Sequence, residues 1–147
     1  LARHYGARVT IDVDNENVVS RVKEVTNGRG ADIVVDVSSY ATQPVADALH
    51  LVKVGGQIVL AGVKGFKAVD DFVSDLIVMK EVTIRGAIGV TSTGYRQAIN
   101  VIESGHVDFT PMHTHDFDLE DAELAIKTLA REIVDDESIH SCLIPPS

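Results

Sequence analysis

The sequence predicts an α/β fold: a three-layer sandwich whose middle layer is a parallel sheet with helices on both faces. Three observations carry that reading. The run Ile33-Val34-Val35-Asp36-Val37-Ser38 is apolar without alternation, as a strand covered on both faces must be. A second such run, Gln57-Ile58-Val59-Leu60-Ala61-Gly62, follows a helical segment and the Gly55-Gly56 turn. Strand and helix signals then keep alternating, and parallel strands joined by right-handed crossovers are the arrangement that such alternation builds.

Taken in order, Val9-Thr10-Ile11-Asp12-Val13 is expected as a short strand. Asp14 or Asn15 can cap the helix that follows, whose Val18, Val19, Val22 and Val25 recur at helical spacing until Asn27-Gly28-Arg29-Gly30 ends it. The strand at 33–37 comes next. Ser39 to Thr42 leads into a helix over 44–52, with Pro44 tolerable in its first turn. Residues 54–56 form the turn into the strand 57–61. A helix over 70–79 is expected to bury Phe72, Val73, Leu76, Ile77 and Met79. In the strand 82–88, Arg85 demands an edge position, because a dry unpaired charge is costly. Helices over 93–103 and 119–133 follow. The second is read with Asp118 as its cap and Ala122, Ile126, Leu129 and Ile133 as its apolar stripe. A terminal strand over 139–144, stopped by Pro145-Pro146, completes about four main-sheet strands plus a C-terminal extension packed outside that sheet.

Composition narrows the partners. The chain has 147 residues, of which 45% are hydrophobic, which suits one modest core. Lys53, Lys64, Lys67 and Lys80 break up the apolar regions, so nothing approaches the roughly 20 residues that span a bilayer. A formal net charge of -9, with thirteen basic residues and no long basic cluster, opposes nucleic acid and anionic membranes as partners. The single Cys142 can form no internal disulfide, which points to a reducing, cytoplasmic setting. The opening Leu1-Ala2-Arg3-His4-Tyr5-Gly6 reads as the last turn of a helix closed by glycine, so an earlier start of the protein is expected.

In parallel sheets ligands collect at the carboxyl ends of strands. Here those ends are Val37-Ser38-Ser39, Ala61-Gly62-Val63 and Ala87-Ile88-Gly89, which should share one side of the sheet. The segments Gly28 to Asp36, Val54 to Gly62, Glu81-Val82-Thr83-Ile84-Arg85-Gly86 and Phe117-Asp118-Leu119-Glu120-Asp121-Ala122 together resemble the medium-chain, zinc-type alcohol dehydrogenase family, as does Gly105 to Pro111. The resemblance covers essentially the whole chain. It implies a partial Rossmann fold: residues 1–115 as the downstream part of an NAD(P)-binding domain, and 116–147 as a helix and strand returning to a catalytic domain.

The same resemblance implies what this chain lacks. The glycine fingerprint strands, the acidic residue for the adenosine ribose and the ligands of catalytic zinc lie upstream of Leu1 in family members. Gly28-Arg29-Gly30 precedes a strand instead of following one, and Gly86-Ala87-Ile88-Gly89 lacks the remaining spacing, so neither substitutes for the fingerprint. Carried over residue by residue, the family's cofactor contacts fall on Val37 and Ser38, on Ala61, Gly62 and Val63, and on Gly86, Ala87 and Ile88. The parent is then an oxidoreductase moving hydride between NAD or NADP and an alcohol or carbonyl substrate. The 147 residues alone are expected to bind cofactor weakly or not at all, and to be catalytically silent. A structural or oligomerisation module is the alternative, pairing copies through the edge strand 82–88.

No catalytic residue and no metal ligand is assigned within the chain. His113-x-His115 with Asp116 mimics a metal site locally, but the family resemblance implies that it falls in the linker toward the last helix. Cys142, with His140 beside it, reads as apolar filling. His50 and His106 read as helix-end or loop residues, and no Gly-x-Ser-x-Gly elbow supports hydrolysis.

Overall fold

The computed structural model describes residues 1–134, 136 and 138–145. They form two compact units, one of residues 10–90 and one of residues 1–9 with 91–147.

The first unit is a three-stranded parallel sheet in the order β1 (Ala31–Asp36), β2 (Val52–Leu60), β3 (Thr83–Gly86). Helix α1 (Val18–Val25) precedes β1, α2 (Gln43–Leu51) crosses from β1 to β2, and α3 (Asp75–Lys80) crosses from β2 to β3. On one face, the buried Ala48, Leu49, Val52, Ile58 and Val82 form the core, packed by Val34, Leu60, Leu76, Ile77 and Ile84. Burying each large aliphatic here contributes about 1.5–3 kcal/mol. The opposite face is bare along β1, where Ile33 and Val35 are 57% and 56% exposed. β3 lies at a sheet edge and Arg85 is exposed there, as its charge required.

Several boundaries differ from the sequence expectations for local reasons. Residues 9–13 form no strand. Asp12 gathers the chain into a turn instead, its carboxylate accepting from the Asp14 amide at 3.2 Å and the Asn15 side chain at 2.7 Å. The cap of α1 is Asn17, not Asp14 or Asn15, because its oxygen reaches the Ser20 amide at 2.9 Å. The turn at 54–56 is absorbed into β2, where the ladder jumps from Ala31 opposite Val52 to Ile33 opposite Gln57. Helix α3 starts five residues later than expected, after Asp71 takes a left-handed φ of 56°. Leu76 and Ile77 reach the core, whereas Met79 is exposed.

The second unit holds α4 (Ser92–Glu103), capped by Thr91 through the Gly94 amide at 3.0 Å, and a separate two-stranded parallel sheet. Its strands are β4 (His115–Asp118) and β5 (Ser141–Ile144), with α5 (Ala122–Leu129) between them. The sequence reading leaves 115–118 in a linker, whereas the ladder with β5 makes it a strand. The last helix has the expected period but the other face inward: Ala125 and Thr128 are buried while Ile126 and Leu129 are exposed. Asp118 makes no side-chain cap there, because a short 3-10 turn at Leu119–Asp121 intervenes. The stop ascribed to Pro145-Pro146 falls partly outside the described residues. Tyr5 anchors the opening turn, donating its hydroxyl to the Asp108 carbonyl at 3.0 Å and stacking on Phe109.

Among the described residues no helix is long and apolar enough to cross a membrane.

Candidate functional site

Because β1, β2 and β3 run parallel and in register, their carboxyl ends meet on one side of the sheet. Asp36, Val37 and Ser38 leave β1 there, Ala61 to Val63 leave β2, and Gly86 to Ile88 leave β3. Three hydrogen bonds extend the ladder past the strand ends. The Ala61 and Gly62 amides both donate to the Asp36 carbonyl, at 2.8 and 3.1 Å, and the Ala87 amide donates to Leu60 at 2.9 Å. These amides are therefore engaged within the sheet. What the rim offers is apolar surface: Val37, Val63 and Ile88 are 74%, 54% and 86% exposed.

Two glycines at the rim differ in purpose. A Cβ on Gly62 would lie 1.9 Å from the Ser38 carbonyl oxygen, so glycine is required for the backbones of β1 and β2 to approach. A Cβ on Gly86 would meet nothing within 4 Å, so that position faces open space. The rim presents the exposed side chains of Val37, Val63 and Ile88 and an unobstructed Gly86. It does not offer the Ala61, Gly62 or Ala87 amides as donors to a carboxamide.

Sequence reasoning missed the polar group behind this rim. The Lys64 ammonium lies 2.6 Å from Asp36 Oδ2 and 2.9 Å from Ser38 Oγ, and also donates to the Ser38 carbonyl. The Ser38 amide donates to Asp36 Oδ1 at 3.1 Å, as does its hydroxyl. The Asp36 and Lys64 side chains are only 3% and 10% exposed. Burial pushes the Asp36 carboxyl toward protonation, but hydrogen bonds from Lys64 and Ser38 outweigh it and hold the pKa below the ordinary carboxylate range. Ser38 thus braces a buried ion pair instead of capping α2, whose N-cap is Thr42. An aspartate closing an apolar strand was the available signal. In the sequence Lys64 reads only as an interruption of the apolar regions.

Tyr40 adds backbone strain at the same end. It holds a left-handed φ of 63° while its amide donates to the Val63 carbonyl at 3.0 Å, a conformation unusual for a bulky residue.

On the free edge of β1 lies a cleft of about 310 Å³ lined by Val13, Val18, Val35, Val37, Pro44 and Leu51. Its walls are apolar apart from Asp36, Ser38 and Asp47.

In the second unit the histidines divide. His113 and His115 do not converge on one point: His115 turns to Asp136, 2.7 Å away, and stacks on Phe117. His113 instead meets His140 and Cys142 from far along the chain. Its Nδ1 lies 3.3 Å from His140 Nδ1 and 3.9 Å from Cys142 Sγ, and its Nε2 lies 2.9 Å from Asp116. The expectation that Cys142 has only His140 for a histidine neighbour is corrected by β4 pairing with β5, which brings His113 alongside.

Comparison with known proteins agrees with the parallel α/β sheet. A probable alcohol dehydrogenase of Mycobacterium tuberculosis is 36% identical over 146 residues, covering 99% of this chain and 40% of that protein. An L-threonine 3-dehydrogenase of Bacillus velezensis is 32% identical over 124 residues, covering 84% of this chain and 35% of its own length. The chain therefore spans about two fifths of the curated relatives it matches. Among solved structures, an Escherichia coli oxidoreductase/dehydrogenase of unknown specificity superimposes with a TM-score of 0.85 at 27% identity, covering 99% of this chain and 40% of that one. An alcohol dehydrogenase from Thermus sp. ATN1 shares the fold with a TM-score of 0.84 at 23% identity, again covering 99% and 40%. The family model for zinc-binding dehydrogenases matches residues 1–104. With the parallel α/β sheet, that match settles the lineage: the chain belongs to the zinc-binding dehydrogenase family, a family of oxidoreductases.

Proposed function

We propose that this chain is the nicotinamide-side half of a cofactor crevice, in a protein that moves hydride between NAD or NADP and an alcohol or carbonyl substrate. The observation that carries the reading is the convergence of three parallel strand ends on one apolar rim in a chain of this family. The cofactor supplies the hydride acceptor or donor when bound. The residues of the chain itself orient and shield. Val37, Val63 and Ile88 would exclude water from the ring, Gly86 and Ala87 would leave room for it, and Ala61, Gly62 and Ser38 would fix the rim's backbone. In this reading residues 1–115 form the cofactor part and 116–147 return to a catalytic part that carries the zinc. The reading supplies no acid, base or nucleophile from these residues, so the chain alone should be silent in catalysis. Its single cysteine and acidic charge suit a cytoplasmic setting without nucleic acid or membrane partners.

Gly86→Val tests the crevice. Valine suits a strand and meets no protein atom within 4 Å at its Cβ, so folding should be unaffected while the ring's space is taken. NADH and NADPH titrations of the full-length protein should show affinity falling at least tenfold with an unchanged melting temperature. Equal affinity in the variant refutes the assignment.

A second reading, an assembly module, is favoured by one observation. β1 and β3 are both edge strands, and Ile33 and Val35 are exposed beside the free edge of β1. Copies would pair through the strand 82–88. Light scattering that finds a concentration-independent monomer removes this alternative.

A further inference from the structure

We propose that His113, His140 and Cys142 form a binding site for a zinc-class divalent cation. The resemblance to the family puts its zinc ligands upstream of Leu1, so it assigns no metal to these side chains, and the proposal stands independently of the crevice.

The ligand set is chemically coherent. Two imidazoles and one thiol are the donors that zinc prefers, and their ligand atoms all lie within 4.8 Å of one another. With Zn–N near 2.0–2.1 Å and Zn–S near 2.3 Å, tetrahedral coordination requires ligand atoms about 3.3 Å apart for two nitrogens and about 3.6 Å for nitrogen and sulfur. The observed separations are 3.3 Å between the two Nδ1 atoms and 3.9 Å from Cys142 Sγ to His113 Nδ1. The ligand atoms of His140 and Cys142 lie within 4.8 Å of each other, so rotation of these side chains completes the geometry.

The backbone holds the donors in place before any ion arrives. His140 lies in the bend that leads into β5 and Cys142 within that strand, and the ligand atoms of the two come within 4.8 Å of each other. His113 is brought to them by Thr114. The Thr114 hydroxyl accepts from the Ile139 and His140 amides at 3.1 and 3.3 Å and donates to the His140 carbonyl at 3.1 Å. The Thr114 and His115 amides donate to that same carbonyl at 3.1 and 3.3 Å. The ladder then continues from His115 opposite Ser141 to Asp116 opposite Cys142.

Asp116 supplies the outer shell. Its carboxylate lies 2.9 Å from His113 Nε2, which places the ring proton on Nε2 and leaves Nδ1 with its lone pair toward His140 and Cys142. A carboxylate behind a ligating histidine raises its basicity and fixes its orientation. His113 and His140 are exposed, so water can reach the fourth position of a tetrahedral ion.

Cobalt(II) is the probe. Added to the reduced, metal-free 147-residue protein, in which Cys142 is the single cysteine, Co²⁺ should give a near-ultraviolet thiolate-to-cobalt band and visible bands of tetrahedral intensity. Zn²⁺ should abolish both. Cys142→Ser should remove the near-ultraviolet band, and His113→Gln should weaken binding at least tenfold. Asp116→Asn, which leaves every ligand in place, should weaken it about 10–100-fold, the range typical of such outer-shell partners. His50→Gln, in the other unit, should leave the titration unchanged. All the substituted cluster positions lie at the surface or half-buried, and circular dichroism identical to the parent protein's establishes that each variant is folded. A thiolate band that is absent from the parent protein or that survives Cys142→Ser overturns the proposal, as does unaltered affinity in His113→Gln.

Discussion

Replacing Lys64 with methionine isolates the buried charge pair behind the rim. The variant keeps the aliphatic bulk of the side chain but removes the ammonium 2.6 Å from Asp36 Oδ2, while Ser38 still serves Oδ1. Breaking one side of a buried pair costs about 3–5 kcal/mol, because the remaining charge stays in the protein without its partner. Lys64 retains 10% side-chain exposure, so some water can reach the vacated position and the lower figure of about 3 kcal/mol is expected. Urea unfolding at pH 7, followed by circular dichroism, should show the midpoint falling by about 1–3 M with an unchanged slope of about 1–3 kcal/mol/M. The sign with pH follows from the carboxylate. In the parent protein the folded Asp36 pKa is depressed, so its stabilisation is present above the unfolded pKa and is lost as pH falls through the folded one. In the variant the burial that favours protonation has lost its strongest opponent. The gap between the two proteins should therefore narrow as pH drops through the carboxylate range. Asp36→Asn combined with Lys64→Met should recover most of the loss, giving a coupling well above 1 kcal/mol on the scale of contacting pairs, about 0.5–3 kcal/mol. A single variant within about 0.5 kcal/mol of the parent, the scale of ordinary surface changes, refutes the reasoning.

The other expectations are simpler. Gly62→Ala should destabilise by about 1–3 kcal/mol, toward the upper end because the obstacle is the Ser38 carbonyl and not a movable side chain, and a melting temperature matching that of Gly86→Ala contradicts it. Leu49→Ala, at a fully buried core position, should cost about 2–5 kcal/mol in chemical denaturation; a cost under about 1 kcal/mol means that the core is not organised around α2. Thr114→Val should cost about 1 kcal/mol and speed amide exchange at Ile139 and His140, and unchanged exchange there dismisses the Thr114 clasp.

The parts of this structure that were legible in sequence depend on local pattern. Apolar runs ending at Asp36 and Leu60 announce parallel strands, and Arg85 announces an edge, because burial on two faces leaves no room for polar alternation. The last helix shows where pattern stops. Its period was readable, but a stripe of Ile126 and Leu129 and a stripe of Ala125 and Thr128 are both spaced for a helix, and only the strands beside it decide which turns inward. Strand β4 was hidden because His115 to Asp118 is largely polar, and it becomes a strand through its ladder with β5. The Asp36–Lys64 pair and the meeting of His113 with His140 and Cys142 join residues 28, 27 and 29 positions apart. No spacing rule reports such pairs until topology has folded them together.

The link between Asp36 and Lys64 also bears on how the first two strands find their alignment. Parallel strands of similar aliphatic residues can slide, since valine against isoleucine differs little from valine against leucine. A slip of one residue would turn the carboxylate to the bare face of the sheet; a slip of two would carry it about 6–7 Å along the strand, out of reach of its cation. Either misalignment strands a lone charge. A contact that adds little net stability in the correct arrangement thereby penalises the wrong ones, acting as a key that admits a single setting of the sheet.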